Sequence, residues 1–138
     1  GQIRQGVVHL DIWFDNMHFN AENGVTIFDF DFCGSGWLCL DIAYFLCQLY
    51  NTHPDENDFL PKAESFWNGY ESITPVSSEE KRIIPIAALG VFLFYIGIQC
   101  DRFDTWSNIF LNEDHLKRFT GTMKKWMAYH KIKWEKGV

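Results

Sequence analysis

The sequence predicts an α+β domain that is mainly α-helical, in which a loop and a short β-hairpin precede a bundle of about four helices. Three observations support this prediction. The chain has 138 residues, of which 47% are hydrophobic, so it can form one domain with a core but not two ordinary ones. The pair Asn23-Gly24 separates two β-prone runs. Beyond residue 37, apolar residues recur at helical spacing.

The elements follow in order along the chain. "GVVH" (6–9) is typical of a short strand, and the hairpin is expected at about residues 16–29. "CGSG" (33–36) interrupts the pattern before the first helix. Four helices are expected, at about residues 37–50, 59–72, 77–103 and 113–131. The whole of 1–138 is therefore interpreted as a single domain, with loops and hairpin in 1–36 and helices in 37–138.

The composition excludes some classes of partner. The net charge is −6, which argues against a nucleic-acid partner, because such surfaces are usually basic. Residues 1–60 carry −8 and residues 115–138 carry +6. An acidic first part fits a site for metal ions or a cationic substrate, although a solvated acidic face explains the total charge equally well.

The cysteines and the most apolar segment bear on location. Cys33, Cys39, Cys47 and Cys100 show no CxxC spacing and each adjoins apolar residues. Buried, reduced thiols and a cytoplasmic location are expected. The segment 83–98 is short for a membrane span and contains proline and glycine, so a buried helix and no membrane partner are expected.

Three polar residues in apolar surroundings form a candidate reaction centre. Asp11 and Asn16 lie on the loop that leads into the hairpin, and Asp29 ends its second strand. Folding the hairpin brings Asp29 back beside Asn16, and a carboxylate with an amide suits Mg²⁺. Asp11 could then accept a proton from a hydroxyl group or orient it, as phosphoryl transfer requires. The alternative is turn chemistry, since Asp and Asn are common at strand ends.

The same residues carry a resemblance to known enzymes. "HLDIWFDN" (9–16) followed by "IFDF" (27–30) resembles the H-x-D-x-x-x-x-N and D-F-G-type motifs of the protein-kinase-like fold. The longer run "IFDFDFCGSGWLCLDIAYFL" (27–46) is similar to the aminoglycoside phosphotransferase, homoserine kinase and choline kinase group of small-molecule kinases. That group typically shows HGDxHxxN, a short hairpin and then IDFxxxGxxxxDLA.

The resemblance implies roles for five residues. Asp11 would be the catalytic base or the residue that orients the hydroxyl, and Asn16 and Asp29 would be Mg²⁺ ligands, with ATP as co-substrate. His9 would support the catalytic loop, and Asp41 would brace that loop from the following helix.

The chain departs from the group's pattern at several positions. Leu10 stands where the group usually has Gly, and Trp13 where it often has His. Phe14 and Asp15 replace a common Pro-Gly, and Phe32 occupies a position where an acid is frequent. These departures concern the shape of the loop and the substrate rather than the class of reaction.

The resemblance also implies which part of a kinase this is. Only eight residues precede His9, whereas the group's glycine-rich loop and strand lysine lie further upstream. The chain is therefore expected to be the C-terminal, substrate-binding lobe without its N-terminal nucleotide lobe, which would be its partner. Little activity is expected from it alone. The alternative is a non-catalytic kinase-like module for binding or scaffolding.

The acceptor of the phosphoryl group stays open at this point. Tyr95, Gln99, Asp101 and Trp106 could line a pocket for a cationic or amino-alcohol substrate. A helix that packs its apolar stripe explains them equally well. Asp31 is either a second acid near the metal or an exposed strand-end residue. Homoserine, choline-like alcohols, aminoglycosides and other sugars or amino alcohols all remain candidates.

Overall fold

The computed structural model describes residues 2–22, 24–102, 104 and 111–133. Within these residues, four short strands surround the loops of the first part, and four α-helices follow. The strands are β1 (Gln5–Val8), β2 (Met17–Phe19), β3 (Val25–Ile27) and β4 (Gly34–Trp37). The helices are α1 (Cys39–Thr52), α2 (Glu56–Ile73), α3 (Ser78–Asp101) and α4 (Glu113–Tyr129). The predicted mainly helical α+β fold is confirmed.

The strands form two antiparallel ladders. β2 and β3 make the predicted hairpin, with Met17 opposite Ile27. β1 pairs with β4, with Gly6 opposite Gly36. Both connections, residues 9–16 and residues 28–33, therefore run side by side from one ladder to the other. This topology brings the loop of Asp11 next to the segment of Asp29.

The strand β4 differs from the sequence-based expectation, which treated "CGSG" as a break. A Cβ atom on Gly36 would lie 3.1 Å from Val8 Cγ2 and 3.2 Å from Leu40 Cδ1. Such contacts are tighter than ordinary van der Waals packing, so a larger residue would force the side chains of Val8 and Leu40 to shift, and glycine favours this crossing of β1, β4 and α1. The glycines here allow close pairing, and the local pattern alone does not reveal it.

The helices form the core around α1. Ile42, Ala43 and Cys47 of α1 are almost fully buried, and Ala88 of α3 is fully buried as well. From α4, the indole Nε1 of Trp126 donates a hydrogen bond to the main-chain oxygen of Pro85 at 2.9 Å. This hydrogen bond joins α4 to α3 and so completes the helical core.

Helix α3 is apolar on both of its faces. It has 24 residues, and its most apolar 18-residue window has a mean hydropathy of 2.2. Of that window, 28% is buried. By length and composition alone it could cross a membrane. Phe92 packs near Phe119 of α4, whereas Ile86, Leu93 and Phe94 are exposed. The expectation of a buried helix therefore holds for one face only, and the absence of a membrane partner stays a prediction.

The expectation of four buried thiols is wrong for two of them. Cys39 and Cys47 are buried, but Cys33 and Cys100 are exposed. Apolar neighbours in sequence point to other faces of a helix or strand, so they do not predict the burial of the residue between them.

An ion pair between Arg4, the residue before β1, and the buried Glu80 fastens the start of β1 to α3. Glu80 is fully buried, and its Oε1 accepts a hydrogen bond from Arg4 Nε at 2.8 Å. Its Oε2 accepts from the main-chain nitrogen of Ser77 at 2.8 Å, which completes a capping box at the start of α3. Burial alone would raise the pKa of Glu80, but the hydrogen bonds from Arg4 and Ser77 outweigh it and lower this pKa.

The lowered pKa of Glu80 gives a pH-dependent contribution to stability. The contribution is complete above the pKa of the unfolded chain, about 4.3, and is lost as the pH falls through the lower folded-state pKa. Glu80→Gln should therefore destabilise the chain by about 3 kcal/mol at pH 7. Urea unfolding should show that the difference from wild type shrinks towards pH 3.

The control is Glu71→Gln, which removes a surface partner of Lys81 and should change stability far less. A Glu80→Gln penalty of constant size between pH 7 and pH 3 would contradict the assigned role of the ionised carboxylate.

Candidate active site

Asp41 holds the loop that follows β1. It lies in the first turn of α1, and its two carboxylate oxygens accept hydrogen bonds from consecutive main-chain nitrogens. Oδ2 accepts from His9 at 2.9 Å and Oδ1 accepts from Leu10 at 2.7 Å. Hydrogen bonds to a carboxylate are stronger than those between neutral groups, so the helix fixes the path of the loop at its first two residues.

Leu10 adopts a left-handed backbone conformation, with φ of 63°. That conformation costs an L-residue about 1–2 kcal/mol, and glycine would adopt it without this cost. Both main-chain groups of Leu10 are held, because its nitrogen donates to Asp41 and its oxygen accepts from the Tyr95 hydroxyl at 2.9 Å. These two hydrogen bonds maintain the strained turn.

His9 connects the loop to the segment after β3. Its side chain is buried, Nδ1 accepts a hydrogen bond from the Asp11 nitrogen at 3.2 Å, and Nε2 lies 3.0 Å from the main-chain oxygen of Phe28. Because Nδ1 is the acceptor, Nε2 carries the proton and donates it to Phe28. Both ring nitrogens are therefore used in hydrogen bonds within the protein.

Asn16 lies between Asp11 and Asp29. Its Nδ2 donates to Asp11 Oδ2 and to the main-chain oxygen of Asp11, both at 2.9 Å. The main-chain oxygen of Asn16 accepts a hydrogen bond from the main-chain nitrogen of Phe28 at 3.1 Å. Asp29 directly follows Phe28 and therefore lies close to Asn16. The three residues predicted as the reaction centre therefore converge at the open end of the hairpin.

Asp29 is the second strained residue of the site, with φ of 64°. Its exposed carboxylate makes no hydrogen bond or ion pair with another described residue. Asp is one of the residues that tolerate this conformation, and such strain clusters at functional sites. The turn thus presents an uncommitted carboxylate beside Asn16.

The residues present fit a magnesium ion that is shared with phosphate groups. Asn16 directs its amide nitrogen to Asp11, so its amide oxygen takes no part in that hydrogen bond. Together with Asp29 it supplies two hard oxygen ligands, and Mg²⁺ usually takes one or two protein ligands besides water and phosphate oxygens. Among the described residues, no group of three or more His, Cys, Asp or Glu could hold a metal ion, so a cage made of protein alone is not formed there.

Tyr44 is a site residue that the local sequence does not reveal, because an aromatic ring on an apolar helix face is usually part of the core. Its hydroxyl donates to Asp11 Oδ1 at 2.6 Å and accepts from Gln48 Nε2 at 3.1 Å. Burial, and then the hydrogen bond to Asp11, raise the pKa of Tyr44, so its hydroxyl stays protonated and remains a donor. The available signal was helical spacing, since Tyr44 follows Asp41 by three residues and shares its face.

A cavity of about 390 Å³ lies beside Tyr44, between α1, α3 and α4. Its size is within the range of small-molecule sites. Two predicted pocket residues, Tyr95 and Gln99, line it. Its other polar lining includes Tyr44, Gln48, Asn51 and His115.

The remaining predicted pocket residues lie elsewhere. Asp101, at the end of α3, is exposed and does not line the cavity, because residues 99 and 101 point to different faces of the helix. Asp31 is exposed in the turn after β3. Trp106 lies outside the described residues.

The sequence is similar to known phosphotransferases. Residues 2–76 match the phosphotransferase enzyme family. A homoserine kinase of Xanthobacter autotrophicus is 32% identical over 104 residues, which are 75% of this chain and 31% of that protein. A homoserine kinase of Rhodopseudomonas palustris is 30% identical over 92 residues, 67% of this chain and 28% of that protein.

A third relative has no stated activity. It is an uncharacterized protein of Synechocystis, 34% identical over 79 residues, which are 57% of this chain and 21% of that protein. The chain thus spans less than a third of the length of these curated relatives. No solved structure gives a significant match.

The strain at Leu10 can be measured by two substitutions. Leu10→Gly should be more stable than Leu10→Ala by about 1 kcal/mol, because only glycine adopts positive φ without steric cost. Denaturant unfolding of both variants gives the difference directly, and both lose the same leucine contacts apart from one methyl group.

The matched control is exposed Ser65 in α2, where the order should be reversed. There Ser65→Ala should exceed Ser65→Gly in stability by about 1 kcal/mol. The strain at position 10 is refuted if Ala is the better residue at both positions.

Proposed function

This chain belongs to the phosphotransferase enzyme family, and we propose that its native polypeptide transfers the γ-phosphoryl group of ATP to a hydroxyl group of a small molecule. One observation carries the proposal. The carboxylate of Asp11 is held by Asn16, and the hairpin brings Asp29 to the same place. A carboxylate that could act as the base is therefore held close to Asn16 and Asp29, whose side-chain oxygens could bind a metal ion.

Asp11 acts on the acceptor hydroxyl in this proposal. Each of its carboxylate oxygens already accepts one side-chain hydrogen bond, from Tyr44 and from Asn16. An ionised carboxylate has about four acceptor positions, so it can accept a further hydrogen bond from the substrate. The carboxylate would orient the hydroxyl towards the phosphorus atom and receive its proton as the bond to phosphorus forms.

Asn16 and Asp29 would hold Mg²⁺ through the amide oxygen and the carboxylate. When bound, this ion neutralises charge on the phosphate oxygens. His9 and Asp41 do not contact the reactants in this proposal. They keep the loop of Asp11 and the turn of Asp29 at a fixed separation.

The acceptor would bind with its hydroxyl at Asp11 and extend towards the cavity beside Tyr44, which Asp11 itself does not line. Homoserine is the first compound to test, because the two relatives of known activity described above are homoserine kinases. Choline-like alcohols, aminoglycosides and other sugars or amino alcohols are the next candidates. We place the reaction in the cytoplasm, where ATP is available and thiols stay reduced, and without nucleic acid or membrane as partner.

The exposed apolar side chains around the strands support a catalytic protein over a binding or scaffold module. Val7 is 73% exposed and Phe30 is 57% exposed, and Phe14, Phe19 and Phe28 are exposed as well. A surface of this kind usually marks a place where another part of a protein docks. The relatives are about three times as long as the aligned segment, so we propose that a nucleotide-binding part of the native polypeptide covers this face.

The proposal is tested by a screen for phosphate acceptors with ATP and Mg²⁺. The native polypeptide should phosphorylate at least one small-molecule alcohol. Asp11→Asn should lower kcat by a factor of roughly 10²–10⁴, because the hydroxyl loses its base, while the affinity for the nucleotide stays almost unchanged. Steady-state kinetics and nucleotide binding by calorimetry measure the two effects separately.

Phosphorylation at the wild-type rate by Asp11→Asn would remove Asp11 from the reaction. A native polypeptide that binds these compounds but transfers no phosphoryl group to any of them would favour the non-catalytic module.

The metal role of Asp29 is tested against Asp31, an exposed acid two residues away. Asp29→Asn should raise the Mg²⁺ concentration for half-maximal nucleotide binding by at least about tenfold. Asn tolerates positive φ as Asp does, so the backbone is preserved. Asp31→Asn should leave the Mg²⁺ dependence unchanged, and equal effects of both substitutions would show that only the net charge matters.

A further inference from the structure

We infer that Tyr44 is a positioning residue for this reaction: from the wall of the acceptor cavity, its hydroxyl fixes the orientation of the Asp11 carboxylate. The inference rests on the proposed function, because it assigns Tyr44 a task only if Asp11 receives the acceptor hydroxyl. It concerns a residue on the helix α1, outside the loop and hairpin that carry the recognised motifs.

Both oxygens of the Asp11 carboxylate accept a hydrogen bond from a side chain. Tyr44 donates to Oδ1 at 2.6 Å and Asn16 donates to Oδ2 at 2.9 Å. The terminal torsion of an aspartate is broad when nothing holds it, so one donor would leave the carboxylate plane free to turn about that contact. With two donors the plane is fixed, and so are the lone pairs that remain for a substrate.

Tyr44 itself has little freedom to move. Its side chain is buried, its ring stacks on that of Tyr95 with centroids 5.6 Å apart, and Gln48 donates to its hydroxyl oxygen. Because Gln48 occupies a lone pair of that oxygen, the phenolic hydrogen points to Asp11. The distance of 2.6 Å is typical of a hydroxyl that donates to a charged carboxylate.

The position of Tyr44 also connects two regions of the site. Tyr44 lines the cavity between α1, α3 and α4 together with Gln48 and Tyr95. Its hydroxyl also donates to Asp11, on the loop that follows β1. A small molecule in this cavity therefore touches the residue that sets the direction of the Asp11 lone pairs, so acceptor binding and base orientation depend on one side chain.

Tyr44→Phe tests the inference because it keeps the stacked ring and removes only the donor. In the native polypeptide, kcat should fall at least about tenfold, the loss expected for a hydrogen bond to a charged group. The KM for ATP should stay within about twofold, since Tyr44 does not contact the metal ligands or the phosphate side of the site.

Tyr50→Phe is the matched control. It removes the same atom from the same helix, at a ring that packs on Trp126 and Tyr129 rather than on the catalytic loop. Its kcat should equal that of wild type. An unchanged kcat in Tyr44→Phe, or an equal loss in Tyr50→Phe, would overturn the inference.

Gln48→Leu tests the positioning role of Tyr44 if Tyr44→Phe does not fold. It leaves both donors to Asp11 in place and removes the group that orients the Tyr44 hydroxyl, so kcat should fall severalfold with the KM for ATP unchanged. Wild-type kcat in Gln48→Leu would then overturn the inference.

The proposed function and this inference fail in different ways. If the wild-type polypeptide transfers no phosphoryl group to any acceptor, the proposed function is wrong. If wild type is active and depends on Asp11 while Tyr44→Phe is fully active, only the role of Tyr44 is wrong.

Discussion

The carboxylate of Asp41 is the contact on which the rest of the site depends. It accepts from the main-chain nitrogens of His9 and Leu10, so a rigid helix sets the direction of the loop at the point where β1 ends. Asp41 lies in the first turn of α1, whose N-cap Leu38 offers no side-chain hydrogen bond. A negative charge there also complements the helix dipole. One side chain thus stabilises the start of the helix and the strained loop together.

Hydrogen bonds to main-chain groups connect this contact with the rest of the site. His9 binds the oxygen of Phe28, and the nitrogen of Phe28 binds the oxygen of Asn16. Both main-chain groups of Phe28 are therefore engaged, and Asp29 follows directly with positive φ. Two of the three non-glycine residues with positive φ, Leu10 and Asp29, lie in this site, and the third, Lys131, follows α4. Leu10 has both main-chain groups hydrogen-bonded, and Asp29 follows a residue whose main-chain groups are both hydrogen-bonded. Such strain persists only where its surroundings over-determine the conformation.

The sequence predicted those features that depend on local pattern. The hairpin followed from the turn pair at its tip, the helices followed from their periodicity, and the strand ends brought Asn16 and Asp29 together as expected from hairpin geometry. Features that depend on contacts distant in sequence were not predicted. The strand β4 requires a close crossing at Gly36, and a local reading shows only a flexible glycine segment. Tyr44 looks like a core residue because an aromatic ring on an apolar helix face is usually one, and only the position of Asp11 reveals the second use of its hydroxyl.

Helix α1 combines the core and the site through its two faces. Ile42, Ala43, Leu46, Cys47 and Leu49 are buried on one side. Asp41, Tyr44, Gln48 and Asn51 follow each other at spacings of three and four on the other, which is the spacing of a single helical stripe. Along this stripe Asp41 accepts hydrogen bonds from the loop, and Tyr44 donates one to Asp11. Gln48 donates to the Tyr44 hydroxyl, and both Gln48 and Asn51 line the cavity. The residues that would contact an acceptor thus lie at one end of the stripe and the loop anchor at the other. A substitution at position 51 therefore leaves the hydrogen bonds of Asp41 and Tyr44 to the loop in place, whereas a substitution at position 48 also removes the donor to the Tyr44 hydroxyl.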